Sequence, residues 1–541
     1  MSARTFKAGM VVAPQPEAAE AGVETLWAGG NAVDAAIATA LVQTVVDPLM
    51  CGIAGFGSAG IYLPRQSVHE YVDFHAPAPS AARPDMWEHL VEGEARDGFG
   101  FVLKGRVNDI GYQSVCVPAA LRAFEEIHRS HGTLAWKDVC QPAIAWASKG
   151  WLVRPAVERF WMDEGEFGRA SNTERLRFSD VGRQIYCRRE GSPRRVGELV
   201  QNPDYASTLT MIADKGSAVF YEGEVADRIV TDFAANGGLL SRHDLADYHP
   251  RRTKPIVGGY RGYRITTNAP PGGGVMLLEM LNVLERFDLA ALGHNTTHYI
   301  RVVSEVMKRA TIDKDRFIGD PAFTAVPIER LTSKDYAASL AHEICQGARA
   351  EVPRFNPALS PARDTTQVSV VDKDGNCVTM THSLGMPSGV ITEGLGFMYN
   401  GCMGVFDPRP GRAGSIAPGK ARFSAMCPTI VFKDDEPYIV IGAPGGTQIV
   451  MGVLQAILNV LDFGMPMQEA VAAPRFSSTS SAIDVSNRIP RFVTLDLEAD
   501  GYTVVRNPYS HTIAYVHGIR CHDEKLEGGA DPGRDGVALS S

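Results

Sequence analysis

The clearest alternation of polar and apolar side chains in this chain predicts a β-hairpin. Residues 367–372 are predicted as its first strand, with successive side chains on opposite faces. A polar turn centred on Asp374 follows, and residues 377–384 are predicted as the returning strand. Folding about Asp374 places Thr365 opposite Ser383, with Cβ atoms roughly 5 Å apart. A register slip of one residue would send Ser383 to the other face.

Further apolar patterns predict helices on either side of this hairpin. Residues 32–46 form an apolar run with Asn31 as a good N-cap, and the run is too short and too interrupted to span a bilayer. It is therefore predicted as a buried helix, preceded by a helix from Pro16 to Gly29-Gly30. Amphipathic helices are predicted over residues 275–287, 299–317 and 448–461, and a strand over residues 437–441.

Thr365 follows a Pro-rich loop, and this position suggests a nucleophile made by cutting the chain. Residues 350–364 contain three prolines and are expected to be irregular and accessible. A threonine hydroxyl needs a base, and its own α-amine, with a pKa of roughly 7.7 to 8.0, can serve. Thr365 would first attack the carbonyl of Asp364 and become a new N-terminus. The alternative is an ordinary structural pair of Thr365 with Ser383.

Six motifs lie along the chain. They are Gly29-Gly30-Asn31-Ala32-Val33-Asp34-Ala35-Ala36, Pro270-Pro271-Gly272-Gly273-Gly274, Gly319-Asp320-Pro321, Thr365 through Met380, Phe423-Ser424-Ala425-Met426-Cys427-Pro428-Thr429-Ile430 and Gly442-Ala443-Pro444-Gly445-Gly446. In this order they resemble the motifs of the γ-glutamyltransferases, a family of N-terminal nucleophile hydrolases. The resemblance extends over nearly the whole chain.

The resemblance implies roles for single residues. Thr365 matches the family's catalytic threonine, and Ser383 stands where the family has a threonine that hydrogen-bonds the nucleophile. Gly445 and Gly446 match the glycines whose N–H groups form the oxyanion hole. Their alternative interpretation is a plain tight turn after a strand. Ser424 matches the first of two serines that hold the substrate's carboxylate.

Departures from the family pattern fall together on the substrate's amino-acid head. His75 stands where an arginine usually grips the α-carboxylate, and histidine lacks the planar fork of arginine. Gly385, Cys402 and Val405 replace the asparagine, glutamine and aspartate expected around the α-ammonium, and Ala425 replaces the second serine. These changes imply that γ-glutamyl substrates such as glutathione bind poorly. Acyl groups without the α-amine, or bulkier amides, are expected to fit better.

The resemblance thus implies an autoprocessing amidohydrolase or acyltransferase that forms an acyl ester on Thr365 and needs no cofactor or metal. Water is the expected acceptor, because nothing in the sequence positions an amine. Two rivals stay open. One is a true γ-glutamyltransferase or glutathione hydrolase in which protonated His75, Arg409, Arg412 or Arg422 replaces the missing arginine. The other is an unprocessed relative that binds without turnover.

The architecture implied by the resemblance is a four-layer αββα sandwich. Two central sheets lie between helical layers in this α/β class. Residues 1–364 would form the larger chain and residues 365–541 the smaller, and both would contribute to one globular body. Two such processed pairs could assemble into a dimer.

The amino-acid composition limits the kinds of partner that this protein is expected to bind. Apolar content of 45%, charged content of 21% and a net charge of −9 are typical of a globular protein with no affinity for nucleic acid or membranes. Residues 1–10 lack the pattern of a secretory signal. Nine scattered cysteines form no disulfide framework, so a cytoplasmic location is expected.

Other groups with reactive side chains are expected to be structural. Cys51 has no histidine that the sequence places beside it, and it is predicted to be a buried thiol. Two clusters could be taken for metal ligands but match no established spacing. They are His243, Asp244, Asp247 and His249, and His511, His517, Cys521 and His522.

Overall fold

The computed structural model describes residues 4–165 and 169–355, the backbone of 357–358, and residues 365–541. Its strands are β1 (Met10–Ala13), β2 (Phe56–Leu63), β3 (Val68–Phe74), β4 (Val91–Ala95), β5 (Phe101–Leu103), β6 (Trp151–Leu152), β7 (Leu199–Val200), β8 (Arg251–Thr253), β9 (Ile256–Tyr260), β10 (Tyr263–Thr267), β11 (Pro357–Ala358), β12 (Thr366–Val371), β13 (Cys377–Ser383), β14 (Thr429–Lys433), β15 (Glu436–Gly442), β16 (Phe476–Ser477), β17 (Ile483–Val485), β18 (Val504–Arg506), β19 (His517–His522), β20 (Lys525–Ala530) and β21 (Val537–Ser540).

The helices surround these strands. They are α1 (Pro16–Trp27), α2 (Ala32–Val46), α3 (Ala120–His131), α4 (Trp136–Lys149), α5 (Pro155–Trp161), α6 (Asn172–Arg177), α7 (Asp180–Tyr186), α8 (Pro203–Lys215), α9 (Ala218–Tyr221), α10 (Glu224–Ala235), α11 (Arg242–Ala246), α12 (Gly274–Leu284), α13 (Leu289–Leu292), α14 (Thr297–Phe317), α15 (Ile328–Leu331), α16 (Lys334–Cys345), α17 (Ile449–Leu461), α18 (Met467–Ala472) and α19 (Arg491–Ala499). None of those in the described part of the chain has both the length and the apolar composition needed to cross a bilayer.

Two antiparallel sheets face each other at the centre of the molecule. One has the strand order β21-β1-β12-β13-β2-β3-β8, and the other has the order β20-β19-β15-β14-β10-β9. Val12 and Val371 of the first sheet share an apolar core with Ile430, Val440 and Ile519 of the second. Helices α1 and α2 pack on the first sheet, and α12 and α17 pack on the second. The predicted αββα sandwich is confirmed.

The β12–β13 hairpin has the predicted register. Thr366 pairs with His382 and Val371 with Cys377. The turn is held by Asp372, whose Oδ1 accepts the N–H groups of Asp374 at 2.9 Å and Asn376 at 3.0 Å. Continuing the ladder by one residue places Thr365 opposite Ser383.

Helix α2 confirms the predicted buried helix and its cap. The Asn31 side chain accepts the N–H groups of Val33 and Asp34, and the Asp34 carboxylate accepts the N–H of Asn31 in return. Every residue of the helix is buried. The helix predicted over residues 275–287 ends at Leu284. Beyond it the N–H groups of Arg286 and Phe287 donate three residues back, to the carbonyls of Val283 and Leu284, so the chain tightens into a turn.

Candidate active site

Thr365 and Ser383 meet at one end of the sandwich, where β12 begins and β13 ends. Their hydroxyl oxygens are 3.3 Å apart, and both side chains are buried. The Ser383 Oγ also accepts the N–H of Gly385 at 2.8 Å. Two donors therefore converge on one oxygen, which fixes the hydroxyl of Thr365 against the end of the neighbouring strand. The processing residue predicted before it, Asp364, lies outside the described residues.

A small cavity opens beside the Thr365 hydroxyl. Its volume is about 20 Å³, which is close to the space needed by one water molecule. Its apolar lining is formed by Phe56, Phe99, Val405, Phe423, Met426 and Ile449. As the described residues stand, a cavity of this size is too small for an acyl donor.

Gly446 also lines this cavity, at the junction between β15 and α17. It is the first residue of a 3-10 turn that leads into α17, so its N–H has no partner within the turn. Gly445 precedes it with φ of 147°, and a Cβ there would lie 2.6 Å from the Cα of Ala514. A side chain at this position is therefore excluded. Sequence reasoning matched this pair to an oxyanion hole, and the structure places Gly446 on the cavity wall.

Ser424 and Ala425 form another part of the wall. The N–H of Ser424 donates to the carbonyl of Pro271 at 2.9 Å, which ties this segment to the Pro- and Gly-rich turn before α12. The Ser424 Oγ accepts the N–H of Met426 at 3.2 Å. The hydroxyl proton of Ser424 is not needed for that contact, so it can be donated toward a ligand.

Gly385 and Val405 line the cavity, whereas Cys402 does not line it and lies behind Gly385. A Cβ on Gly385 would lie 3.2 Å from the Sγ of Cys402 and 3.1 Å from Nη1 of Arg422. Burial raises the pKa of the Cys402 thiol to about 11, against the opposing effect of the Arg422 charge. Cys402 is therefore a neutral thiol near pH 7.

His75 is directed into a different environment. Its Nδ1 lies 2.5 Å from the Asp73 carboxylate, which also pairs with Arg251 at 2.7 Å. Although burial raises the pKa of Asp73, His75 and Arg251 hold it below its usual value. His75 lines a second cleft of about 300 Å³, together with Arg251 and Asp320. The Phe56 ring lies between the two sites, with its centroid 6.0 Å from that of His75.

Of the three arginines considered as replacements, Arg422 alone lines the Thr365 cavity within the described residues. Arg409 and Arg412 both pair with Asp407. Arg422 is 4% exposed, and its guanidinium carbon lies 4.6 Å from the centroid of Phe56.

Phe99 and Thr447 were missed by sequence reasoning. Phe99 belongs to the loop between β4 and β5, whose flanking glycines Gly98 and Gly100 have φ of 75° and 94°. Asp97 accepts the N–H of Phe99 at 3.0 Å and the hydroxyl of Thr447 at 3.2 Å, which holds this loop against the start of α17. The signal in the sequence was an aromatic residue between two glycines.

The nine cysteines are all free thiols, and Cys51 is buried. Within the described ranges, no group of three or more His, Cys, Asp or Glu side chains is arranged to hold a metal ion. His243 on α11 instead pairs at 2.8 Å with Asp247, the residue that follows the helix, and both side chains are exposed.

Comparison with a solved structure identifies the structural class of this protein. The structure superimposes on a cephalosporin acylase from Bacillus halodurans with a TM-score of 0.86 at 29% identity, covering 100% of this chain and 97% of the other. This αββα sandwich is that of the N-terminal nucleophile hydrolases, and the chain is an enzyme of this class.

The family follows from the sequence comparisons. The gamma-glutamyltranspeptidase family model matches residues 18–541, and the chain belongs to this family. An "Acylase ACY 1 proenzyme" from Pseudomonas sp. (strain V22) is 38% identical over 512 residues, which are 93% of this chain and 88% of the relative. A "Glutathione hydrolase proenzyme" from Pseudomonas sp. (strain A14) is 35% identical over 484 residues, 86% of this chain and 81% of the relative.

Proposed function

We propose that this chain cuts itself between Asp364 and Thr365 and then hydrolyses an amide through an acyl ester on Thr365. Cleavage there gives fragments of 364 and 177 residues from the 541 of the precursor. The larger fragment is then residues 1–364 and the smaller one residues 365–541, held together in one body. The naming of relatives as proenzymes supports this proposal.

The observation that carries the proposal is the place of the Thr365 hydroxyl, which contacts Ser383 at the start of β12 and lines the cavity. A threonine at a new N-terminus can use its own α-amino group as the proton acceptor, and cleavage before Thr365 would release that group. Its pKa of roughly 7.7 to 8.0 leaves a useful fraction unprotonated at neutral pH.

The proposed cycle uses the groups around this hydroxyl in turn. The Thr365 oxygen attacks the amide carbonyl while its α-amine takes the proton. The negative oxygen that forms is stabilised by the N–H groups of Gly445 and Gly446 at the start of α17, where the helix dipole adds to the effect. The α-ammonium then returns the proton to the leaving amine, and water hydrolyses the ester on Thr365.

The acyl group is proposed to lack the α-ammonium of a γ-glutamyl group. No carboxylate belongs to the cavity wall within the described residues. The nearby Asp97 already accepts the Phe99 N–H and the Thr447 hydroxyl. A buried ammonium without an acceptor is disfavoured, so glutathione and γ-glutamyl anilides are expected to be poor substrates.

The mass of the denatured protein tests the first step. We expect two fragments from the wild type, one uncut chain from Thr365→Ala, and slower cleavage in Thr365→Ser, because serine keeps the hydroxyl. Purified, processed enzyme is then assayed on amides with and without the α-amino group. An uncut wild type with no turnover would leave a binding relative as the better interpretation.

A second candidate function is hydrolysis of γ-glutamyl amides. It is favoured by the relatives named glutathione hydrolase proenzymes and by the buried Arg422 guanidinium, which could bind an α-carboxylate. A kcat/KM for γ-glutamyl anilide above that of the analogue without the amine would support it. We further propose a cytoplasmic location, since the nine thiols are unpaired.

A further inference from the structure

The start of β12 extends past the end of its neighbour β1. The ladder between these two strands ends at the pair of Val12 with Ser369. Thr366 and Gln367 lie beyond that pair, and both are paired with β13 on the opposite side. Within the described residues, the part of β12 next to Thr365 therefore has a strand on only one side.

The side chain of Gln43, from the buried helix α2, binds both of these residues. Its Nε2 donates to the backbone carbonyl of Gln367 at 3.0 Å and contacts the hydroxyl oxygen of Thr366 at 3.0 Å. A carbonyl oxygen only accepts hydrogen bonds, so the atom that faces Gln367 is the amide nitrogen, and the orientation of the Gln43 amide is defined. One side chain thus contacts the two residues that follow Thr365.

Further buried side chains hold the Gln43 amide in this position. Its Nε2 also contacts the Oε1 of Gln15 at 2.7 Å, and Gln15 in turn donates to the Asp47 carboxylate at 2.8 Å. The Oε1 of Gln43 lies 2.8 Å from Nε2 of His382 and must accept there, so this ring nitrogen carries the proton. Burial lowers the pKa of His382 to about 3, which keeps the imidazole neutral near pH 7.

This network crosses the proposed cleavage point. Gln15 and Gln43 belong to the larger fragment, whereas Thr366 and Gln367 belong to the smaller one. After cleavage Thr365 is the first residue of its chain, and a chain end is poorly ordered unless other contacts hold it. Because a displacement of about 1 Å at a reacting group can cost roughly 100-fold in rate, contacts one residue away from Thr365 affect the reaction itself.

We propose that Gln43 is a positioning residue for the Thr365 hydroxyl. By binding Thr366 and Gln367, it holds the new N-terminus of β12, so that the hydroxyl stays against Ser383 and on the cavity wall. Gln43 itself does not line the cavity, so its effect is on the geometry of the nucleophile and not on substrate binding. The inference rests on the proposed function of Thr365, and it gives the larger fragment a part in catalysis.

The test compares Gln43→Met with the wild type as processed enzymes. Methionine fills a similar space but has no amide, so Thr366 and Gln367 lose this partner. Both enzymes are assayed on the acyl p-nitroanilide that the wild type hydrolyses fastest, chosen from donors with and without the α-amino group. We expect kcat to fall about 10- to 100-fold and KM to stay within about twofold.

Thr366→Val tests whether the effect passes through this contact. Valine keeps the branched shape of threonine but has no hydroxyl. The variant removes one of the two contacts between Gln43 and β12, so its loss in kcat should be smaller than that of Gln43→Met. The double variant should lose less than the product of the two single losses, because both changes remove the same contact.

Gln455→Met is the matched control for the Gln43 variant. Gln455 is also a buried glutamine on a buried helix, α17, and its Nε2 donates to the carbonyls of Met451 at 2.8 Å and Phe476 at 2.7 Å. We expect both methionine variants to lower the Tm to a similar extent, because each removes buried hydrogen bonds. Only Gln43→Met should lower kcat.

The outcomes separate this inference from the proposed function. A processed Gln43→Met enzyme with wild-type kcat, or one in which only KM changes, would overturn the positioning role and leave Thr365 as the nucleophile. An uncut Gln43→Met beside a fully cut Gln455→Met would support positioning of the same hydroxyl at the cleavage step. A wild type that is uncut and inactive would reject the proposed function, and the positioning role with it.

Discussion

The Ser383 oxygen accepts one backbone N–H and contacts the Thr365 hydroxyl, so its removal affects two groups at once. Ser383→Ala leaves the buried N–H of Gly385 without its acceptor and the Thr365 hydroxyl without its orienting partner. Leaving a buried donor unpaired costs about 1–3 kcal/mol. We expect kcat to fall about 10- to 100-fold, with a smaller change in KM. Steady-state kinetics on processed enzyme measure this.

Ser383→Thr is the matched control, because it keeps the hydroxyl at the same position of β13. It should restore most of the lost kcat. An alanine variant that is processed and turns over at the wild-type rate would show that the contact is only structural.

Helix α12 contains a buried carboxyl group, Glu279, that lies near the carboxyl group of Asp313, while the Arg330 charge has a smaller opposing effect on its pKa. Glu279 is buried in the middle of this helix, and burial raises its pKa well above the usual range, with Asp313 adding to the effect. In the unfolded chain the same group ionises near a pKa of about 4.3. Above that pH the unfolded state binds fewer protons than the folded state, so the contribution of Glu279 to stability falls as pH rises. Glu279→Gln should therefore flatten the loss of Tm between pH 5 and pH 8.

Glu329→Gln is the control for the Glu279→Gln measurement, because Glu329 is also a helical glutamate but is exposed to solvent on α15. Its Tm profile should follow the wild type across the same pH range. A Glu279→Gln profile parallel to the wild type would mean that Glu279 ionises normally in the folded protein.

The molecule as a whole is assembled from strands on both sides of Thr365. In the seven-stranded sheet β1 precedes the proposed cleavage point and is hydrogen-bonded on both edges by strands that follow that point, β12 and β21. The six-stranded sheet likewise joins β9 and β10 to β14, β15, β19 and β20. After cleavage the two fragments should co-elute in size-exclusion chromatography and separate only in denaturant. Separation in native buffer would contradict this strand arrangement as the structure of the mature protein.

How well the sequence predicted a contact depends on how far apart the two contacting residues lie along the chain. The hairpin register and the Asn31 cap were predictable because their contacts lie within a few residues or one turn. The environment of His75 was not, since Arg251 reaches Asp73 across 178 residues. The position of Arg422 beside Thr365 likewise depends on how the two sheets meet. The motifs therefore indicated which residues lie near Thr365, whereas the packing of the chain determines that Arg422, rather than Arg409 or Arg412, lines the same cavity.

The placement of β1 between strands from the other fragment also has a genetic consequence. With the proposed cut before Thr365, each molecule would keep the two pieces of the single polypeptide from which it was made, because exchanging a piece requires opening both edges of β1. Two inactive alleles, one altered at Thr365 and the other in the first 364 residues, would then not complement each other in the same cell. In genetic tests the two proposed fragments would therefore behave as one gene product.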